Sequence, residues 1–545
     1  MTTTGGSQET ADRSVGAYLR RHTNPPVFII SMIIALTFLV AGVFFTPATN
    51  KAASAVLDFI SKNLGWLYIL SATLFLGFVL AVMASRYGRL RLGPDDSRPE
   101  YRTLPWFAML FTAGMGIGLV FFGVYEPPYH LESAPMITQN GQEAAADAMR
   151  YTIFHWGLHP WAIYIVLGLS MGYFCFRKGL PLRPAAGLYP LIGDRIYGWV
   201  GHLVDVLAVF GTLFGLATSL GLGAQQVNAG LSQVFGLPSN PVVQLAIVAL
   251  ITAIAVASVM FGIDKGIRRL SVLNMYLALV LMLAVFAIGP KVFIMTGLAD
   301  YTGAYLSNIV GMSFDTFDPN ASPAAASWQA DWTLFYWGWW MSWSPFVGMF
   351  IARISYGRTI RQFIAGALFA PVLASIVWFA VLGGTGLFYQ MNGSVDIANA
   401  DPEQALFMLL GALPMAGWLV PLLALLAVVT VAIFFATSSD SGSLVVDMLT
   451  NGGDPHPVRA QRLFWAVTEG AIAAVLLLVG GAAALEALQA ASITAGLPFS
   501  MVLVALAFGL AKAFAGERLA SVPSADRLLA SDLRKDRAER EPVNR

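Results

Sequence analysis

Four indoles stand within seven residues at Trp337, Trp339, Trp340 and Trp343, in the run Trp337-Gly338-Trp339-Trp340-Met341-Ser342-Trp343-Ser344-Pro345-Phe346. The face of an indole is the strongest side-chain site for a cation that cannot donate hydrogen bonds, such as a quaternary ammonium. A second aromatic group lies in His155-Trp156-Gly157-Leu158-His159-Pro160-Trp161-Ala162-Ile163-Tyr164. At about 100° per residue, Trp156, Trp161 and Tyr164 share an arc of about 140°, and Trp339, Trp340 and Trp343 share one of about 100°. Two helices can therefore turn aromatic faces toward one cavity and form a box for a trimethylammonium group, with π-faces replacing water and no carboxylate required. The competing reading is an interfacial belt of Trp and Tyr. Mid-span positions beside Ser344-Pro345 favour the box for Trp339, Trp340 and Trp343, while Trp106, Trp199 and Trp418, near helix ends, keep the belt reading.

A different chemistry is offered by Thr437-Ser438-Ser439-Asp440-Ser441-Gly442-Ser443, which is rich in oxygen for an apolar segment. Hydroxyls and freed carbonyls suit a small alkali cation, and an ionisable group such as Asp440 inside a membrane span is a functional candidate by default. The alternative is that the hydroxyls bond back to their own helix. No base is placed to make one of these serines a nucleophile. His155 and His159 titrate near neutrality and could relay protons, but the simpler expectation is a hydrogen bond to a neighbouring helix.

The elements that must position these groups are membrane spans. Of 545 residues, 57% are hydrophobic and 12% charged, against about 25% charged in a soluble domain. Apolar runs of about 20 residues or more occur at 27–46, 66–86, 105–126, 150–176, 201–236, 241–262, 269–297, 333–352, 362–389, 416–446, 463–482 and 490–512. The expectation is an all-α polytopic membrane protein with twelve transmembrane helices. It divides into an N-terminal cytoplasmic segment (1–26), the helical domain (27–515) and a charged cytoplasmic tail (516–545). The first apolar run lacks a small-residue cleavage site and is read as a retained helix. With both ends inside, the inner segments hold all of the 32 Lys and Arg except Lys51, Lys62, Arg150 and Lys291, as the positive-inside rule requires.

The lone Cys175 excludes an internal disulfide and a cysteine metal cluster. Neither a Walker-type phosphate loop nor a His-Glu-x-x-His motif is present, which argues against ATP-driven transport by this chain and against a membrane enzyme. The connection 298–332 mixes apolar and polar residues like an amphipathic interfacial helix. It separates two groups of five spans, and an odd number per group gives the groups opposite orientations, the inverted repeat of many secondary transporters. The first span of each group carries breakers: Gly114-Met115-Gly116-Ile117-Gly118 in one and Ser344-Pro345 in the other. Breaks at that depth are expected to line a cavity. The alternative for Gly114 and Gly118 is a helix-packing face.

Thr112-Ala113-Gly114-Met115-Gly116-Ile117-Gly118, Trp156 through Tyr164, Trp337 through Phe346, Arg353-Ile354-Ser355, Gly357-Arg358-Thr359-Ile360-Arg361 and Thr437-Ser438-Ser439-Asp440-Ser441 together resemble the betaine/choline/carnitine transporter (BCCT) family over about 27–515. The resemblance implies the LeuT-type fold, a 5+5 inverted repeat (helices 3–7 and 8–12) after two extra helices, assembled as a homotrimer. It implies an ammonium cage of Trp156, Trp161, Tyr164 and Trp340, with Trp339 and Trp343 nearby, and an unwound segment at Gly114, Met115, Gly116 and Gly118. It implies a sodium site of backbone oxygens at Thr112, Met115 and Phe434 and hydroxyls at Thr437 and Ser438. A second sodium site would use Thr212 and Phe346, but Leu216 stands where the family pattern has a hydroxyl. Gly118 resembles carriers of zwitterionic betaine, whereas choline carriers often place Asp there. The absence of Lys and Arg from 208–230 sets the chain apart from the family's sodium-independent exchangers. The tail from Glu517 onward, with seven basic and six acidic residues, is nearly balanced, unlike the strongly basic osmosensing tails of some members.

The expected function is import of glycine betaine or a related quaternary-ammonium solute, coupled to sodium, by alternating access in the cytoplasmic membrane, with no other cofactor and no nucleic-acid partner. The alternatives are proton coupling with choline or a sulfonium compound as substrate and, from another class, a substrate-gated channel or sensor.

Overall fold

The computed structural model describes residues 19, 21–114, 116–261, 264–454, 458–481 and 484–517. Among these the protein is all-helical, and the only strand-like pairing is an isolated bridge between Arg91 and Thr359. The principal helices are α1 (Pro25–Phe44), α2 (Thr46–Ala84), α3 (Thr103–Gly114), α4 (Ile117–Ser133), α5 (Gly141–Trp156), α6 (Leu158–Met171), α7 (Trp199–Phe235) and α8 (Pro241–Phe261). They continue as α9 (Asp264–Ile288), α10 (Lys291–Met312), α11 (Phe335–Arg353), α12 (Ile360–Met391), α13 (Leu419–Thr450), α14 (Arg459–Gly480) and α15 (Ala484–Ala515).

Among the described residues, ten helical segments are long and apolar enough to cross a membrane. They match ten of the twelve expected spans. The remaining two, 105–126 and 333–352, carry the glycine run and the indole cluster. The first is divided between α3 and α4, and the second, α11, has its hydropathy lowered by indoles and serines. The two spans that least resemble membrane helices thus both bear part of the candidate site.

Several boundaries differ from the sequence expectation for physical reasons. α2 begins at Thr46 rather than 66 and has 39 residues, about 58 Å at 1.5 Å per residue, well beyond a hydrocarbon core of about 30 Å. α9 stops at Ile288 because Gly289-Pro290 intervenes, Pro290 having no N–H to continue the ladder. The amphipathic helix therefore starts at Lys291. Its buried residues Ile294, Gly297, Tyr301, Tyr305 and Met312 recur at helical spacing and form one stripe against the bundle.

The expected break at Ser344-Pro345 does not occur, and α11 runs through Pro345. Proline deprives the Met341 carbonyl of its usual N–H partner, but the Ser344 hydroxyl donates to that oxygen at 2.7 Å. A break not anticipated lies at Gly157 (φ −99°, ψ −130°), between α5 and α6. There the Leu158 N–H donates to the Tyr305 hydroxyl of α10 at 3.1 Å.

α7 and the α5–α6 pair form the interior, with 83% and 89% of their most apolar stretches buried, whereas α1 and α9 are at 28% and 22% and lie at the rim. α11 is gripped by neighbours whose backbones approach it closely. A Cβ at Gly338 would lie 2.7 Å from Ile493 Cα of α15, and one at Gly496 would lie 2.5 Å from the Gly338 oxygen. Gly168 of α6 and Gly348 of α11 face each other similarly, and Gly211 and Gly215 of α7 abut Ser342. Small residues permit this approach where apolar burial gives no drive between helices in lipid.

At one end of the bundle, the loop after α2 is tied to the loop after α11. The Leu92 and Ile360 N–H groups donate to the Arg358 and Leu90 oxygens at 2.9 and 2.8 Å, and Arg91 donates to the Gly357 oxygen at 2.8 Å. Gly357 has φ +77°, and a Cβ there would strike the Arg98 oxygen. Arg361 donates to the Met83 and Ser85 carbonyls at the end of α2, filling orphan acceptors with a cation suited to that end of the helix dipole. Trp106 corrects the belt reading, being 1% exposed beneath the Arg358 guanidinium, 3.8 Å from its ring centroid, and donating to the Ser355 hydroxyl. Trp199 and Trp418, at 73% and 71% exposed, fit the belt.

Candidate functional site

The glycine run does interrupt its span. α3 ends at Gly114 and α4 begins at Ile117, with Gly116 in extended backbone (φ −133°, ψ −157°). Met115 lies outside the described residues. Beyond the break, Gly118 faces the indoles: a Cβ there would lie 2.5 Å from Trp339 Cη2 and 2.8 Å from Trp156 Cη2, and one at Gly116 would lie 3.4 Å from Trp343 Cη2. The glycines are thus seats for ring edges.

All six expected aromatic residues are buried, and they come together from α5, α6 and α11. Trp156 meets Trp340 edge-on, with centroids 4.9 Å apart at 69°, and Trp339 at 6.3 Å and 82°. Tyr164 stands edge-on to Trp340 at 6.3 Å, to Trp343 at 6.4 Å and to Trp161 at 5.6 Å. Trp339 and Trp340 stack at 4.6 Å and 14°. Trp340 therefore lies at the centre, flanked by walls at steep angles to it, the arrangement in which several π-faces can address one small cation.

The indoles are fixed by hydrogen bonds between helices. Trp340 Nε1–H donates to the His155 carbonyl at 2.9 Å, Trp339 Nε1–H to the Gly215 carbonyl at 3.2 Å, and Trp156 Nε1–H to Glu126 Oε2 at 2.9 Å. Two buried donors, Trp343 Nε1–H and the Tyr164 hydroxyl, have no protein partner among the described residues. A buried unpaired donor costs about 1–3 kcal/mol, which a ligand bearing an acceptor would relieve.

His155 and His159 are bound to neighbouring elements, as the simpler reading expects. His159 Nε2 lies 3.0 Å from the Ser313 hydroxyl, and its ring stacks on Trp337. His155 Nε2 lies 3.0 Å from the Thr333 hydroxyl and Nδ1 lies 2.8 Å from Glu126 Oε1. Glu126 was not singled out in the sequence, where it precedes Pro127-Pro128 and looks like the end of a span. α4 instead continues through both prolines to Ser133, which buries Glu126 completely. Its being ionisable within a span was the usable signal.

The hydroxyl-rich run lies on α13, which is continuous through it. The Thr437 hydroxyl donates to the Ile433 and Phe434 carbonyls at 2.8 and 3.2 Å, so it is back-bonded to its own helix and to a carbonyl of the same expected ligand set. Phe434, Thr437 and Ser438 are half-buried. Asp440 pairs with Arg462 of α14 at 2.9 Å. α13 reaches the α3–α4 break at Gly223 of α7, where a Cβ would lie 2.9 Å from Ile117 Cδ1 and 3.2 Å from Phe435 Cδ2. Thr112 lies in α3, two residues before that helix ends at Gly114.

For the second cation set, the Thr212 hydroxyl donates to the Ala208 carbonyl at 2.7 Å and Phe346 stacks on Trp343 at 5.7 Å. Leu216 points at α13, its Cδ1 being 2.3 Å from where a Cβ on Gly442 would stand.

Comparison with known proteins agrees with this architecture. A family model described as BCCT, betaine/carnitine/choline family transporter, matches residues 26–519. The glycine betaine transporter OpuD of Bacillus subtilis (strain 168) is 43% identical over 493 residues, covering 90% of this chain and 94% of the relative. Glycine betaine transporter 1 of Vibrio parahaemolyticus is 44% identical over 501 residues, with 90% and 94% covered. A glycine betaine/proline/choline transporter of the same Vibrio strain is 41% identical over 511 residues, covering 90% of each. A match across most of the chain, with relatives of this identity, makes the protein a multi-pass membrane transporter and not an enzyme: it belongs to the betaine/carnitine/choline (BCCT) family.

Proposed function

We propose that this protein is a secondary active transporter that imports glycine betaine by sodium-coupled alternating access. The observation that carries the substrate class is the set of rings around Trp340: Trp156 and Tyr164 at steep angles to it, Trp339 and Trp343 stacked beside it and Trp161 edge-on to Tyr164, with ring edges seated against Gly116 and Gly118. A trimethylammonium group has no N–H to satisfy and is held by such faces. The unpaired Trp343 N–H and Tyr164 hydroxyl support a substrate that also carries an acceptor, as the betaine carboxylate does. The names of the Bacillus and Vibrio relatives point the same way.

The proposed coupling site comprises the carbonyls of Thr112, Met115 and Phe434 and the hydroxyls of Thr437 and Ser438. It is supported by the approach of α13 to the α3–α4 break at Gly223. Leu216, whose side chain has no oxygen to offer, weighs against a second sodium of the same kind, and we propose one. In this reading twelve spans form a LeuT-type inverted repeat after two leading helices, with residues 1–26 and 516–545 cytoplasmic and the protein a homotrimer in the cytoplasmic membrane. A wider substrate range that includes choline is the second reading, favoured by the name of the other Vibrio relative.

The test is uptake of radiolabelled glycine betaine into proteoliposomes under an inward sodium gradient, compared with potassium and proton gradients. Accumulation with sodium alone is expected. Accumulation with protons alone would overturn the coupling site but leave the cage, and equilibration without accumulation would favour a channel.

A further inference from the structure

We propose that Glu126 is the positioning residue of the cage and the negative charge that makes it choose a permanent cation over an uncharged group of the same shape; this rests on the cage reading above. The carboxylate is completely buried and gathers four groups from three elements. Oε2 accepts from Trp156 Nε1–H at 2.9 Å and from the Tyr336 hydroxyl at 2.6 Å. Oε1 lies 2.8 Å from His155 Nδ1 and 3.2 Å from His130 Nε2.

Three of these neighbours lead back to Trp340. Trp156 is its edge-on neighbour, and Tyr336 stacks on it at 5.7 Å and 19°. His155 supplies the carbonyl that accepts the Trp340 N–H. One carboxylate of α4 thus sets the orientation of walls on α5 and α11, and losing it frees all three fastenings together.

The surrounding groups also suit a charge. An indole N–H only donates, a phenol hydroxyl donates readily, and a neutral imidazole offers one N–H. Four donors satisfy an ionised carboxylate, which has no hydrogen of its own to place, and they do so with both imidazoles neutral. The ion-pair contacts of Glu126 are with those two imidazoles. A buried carboxylate without a full countercharge is costly. A quaternary ammonium on the far side of the Trp156 ring supplies that countercharge, and donation of the indole N–H to an anion enriches the ring face that the cation meets.

The experiment uses the full-length protein in proteoliposomes and two competitors of labelled glycine betaine. One is unlabelled glycine betaine. The other is 3,3-dimethylbutyrate, in which a tert-butyl group replaces trimethylammonium at the same shape. The ratio of their inhibition constants reports charge recognition separately from fit. Glu126→Gln keeps the size of the side chain and is expected to reduce that ratio roughly tenfold, as for one charge at a ring's distance in a partly screened interior. Trp156→Phe keeps a ring but loses the N–H; it is expected to reduce the ratio as well, with little added by combining the two changes. If Glu126→Gln weakens both competitors by the same factor, the residue is structural only and the inference is overturned. If Glu126→Gln does not assemble, an unchanged ratio in Trp156→Phe overturns it instead. Failure of wild-type protein to bind glycine betaine at all would be a failure of the cage reading, a result distinct from these.

Discussion

The indole cluster and the hydroxyl-rich run of α13 are both unusual for membrane helices, but they are held in opposite ways. The N–H groups of Trp156, Trp339 and Trp340 all leave their own helix, reaching Glu126 of α4, Gly215 of α7 and His155 of α5. The Thr437 hydroxyl turns back onto Ile433 and Phe434 of α13. Three rings of the proposed cage are therefore pinned by the protein itself, from outside their own helices. The hydroxyl of the proposed cation site must exchange a helix carbonyl for an ion, at low cost in either direction. In the proposed reading, a preorganised site for a bulky cation stands beside an adaptable one for a small cation.

The sharpest way to break this comparison is Trp340→Leu. It should remove about 2 kcal/mol of cation–π stabilisation, or roughly 30-fold in uptake affinity, and unchanged uptake affinity would dismiss the cage. Gly118→Ala comes next. Its methyl would meet Trp339 and Trp156, and overpacking of this kind costs about 1–3 kcal/mol. We expect roughly tenfold weaker uptake with normal insertion; wild-type affinity would mean that the ring edges are not seated on this glycine. Ser438→Ala tests the adaptable side. The fold should tolerate it, and the sodium concentration for half-maximal uptake should rise a few-fold, about what one of several oxygen ligands contributes. An unaltered sodium titration would remove Ser438 from the site.

The smallest effect is expected far from both regions, at Glu517 just after α15. Burial alone would raise its carboxyl, but hydrogen bonds from Lys178, Tyr173 and Arg177 outweigh it and hold the group down at about 2. A depressed folded value means that the anchor is complete above the ordinary carboxylate range and is lost only as pH falls through about 2. The anchor should therefore persist from neutral pH to about pH 3, and Glu517→Gln should lower the melting temperature of the solubilised protein by about 1–2 °C at neutral pH, with transport changed less than twofold. Equal melting temperatures for the two proteins would rule out the anchor.

What could be read in the sequence follows the range over which each feature is determined. The clustering of the rings was legible because Trp and Tyr spacing on a helix decides which rings share a face. The break at 114–117 was legible because three alternating glycines weaken a helix locally. Ser344-Pro345 misled because a hydroxyl one residue earlier repaired the missing hydrogen bond, a repair visible only in the folded geometry. Gly157 was passed over as a single glycine among helix formers, and its break depends on Tyr305, 148 positions away in the chain. Glu126 was obscured by the prolines after it, and its importance lies in partners drawn from 130, 155, 156 and 336.

The glycine contacts of α11 set its freedom of movement. With backbone against backbone at Gly338–Gly496 and Gly168–Gly348, and with Gly211 and Gly215 against Ser342, this helix can neither rotate about its axis nor slide without collision. It has the mechanics of an axle keyed into its housing. A displacement of α11 would therefore carry α6, α7 and α15 with it. The bending must then fall at the joints where helical hydrogen bonding already lapses, between Gly114 and Ile117 and at Gly157.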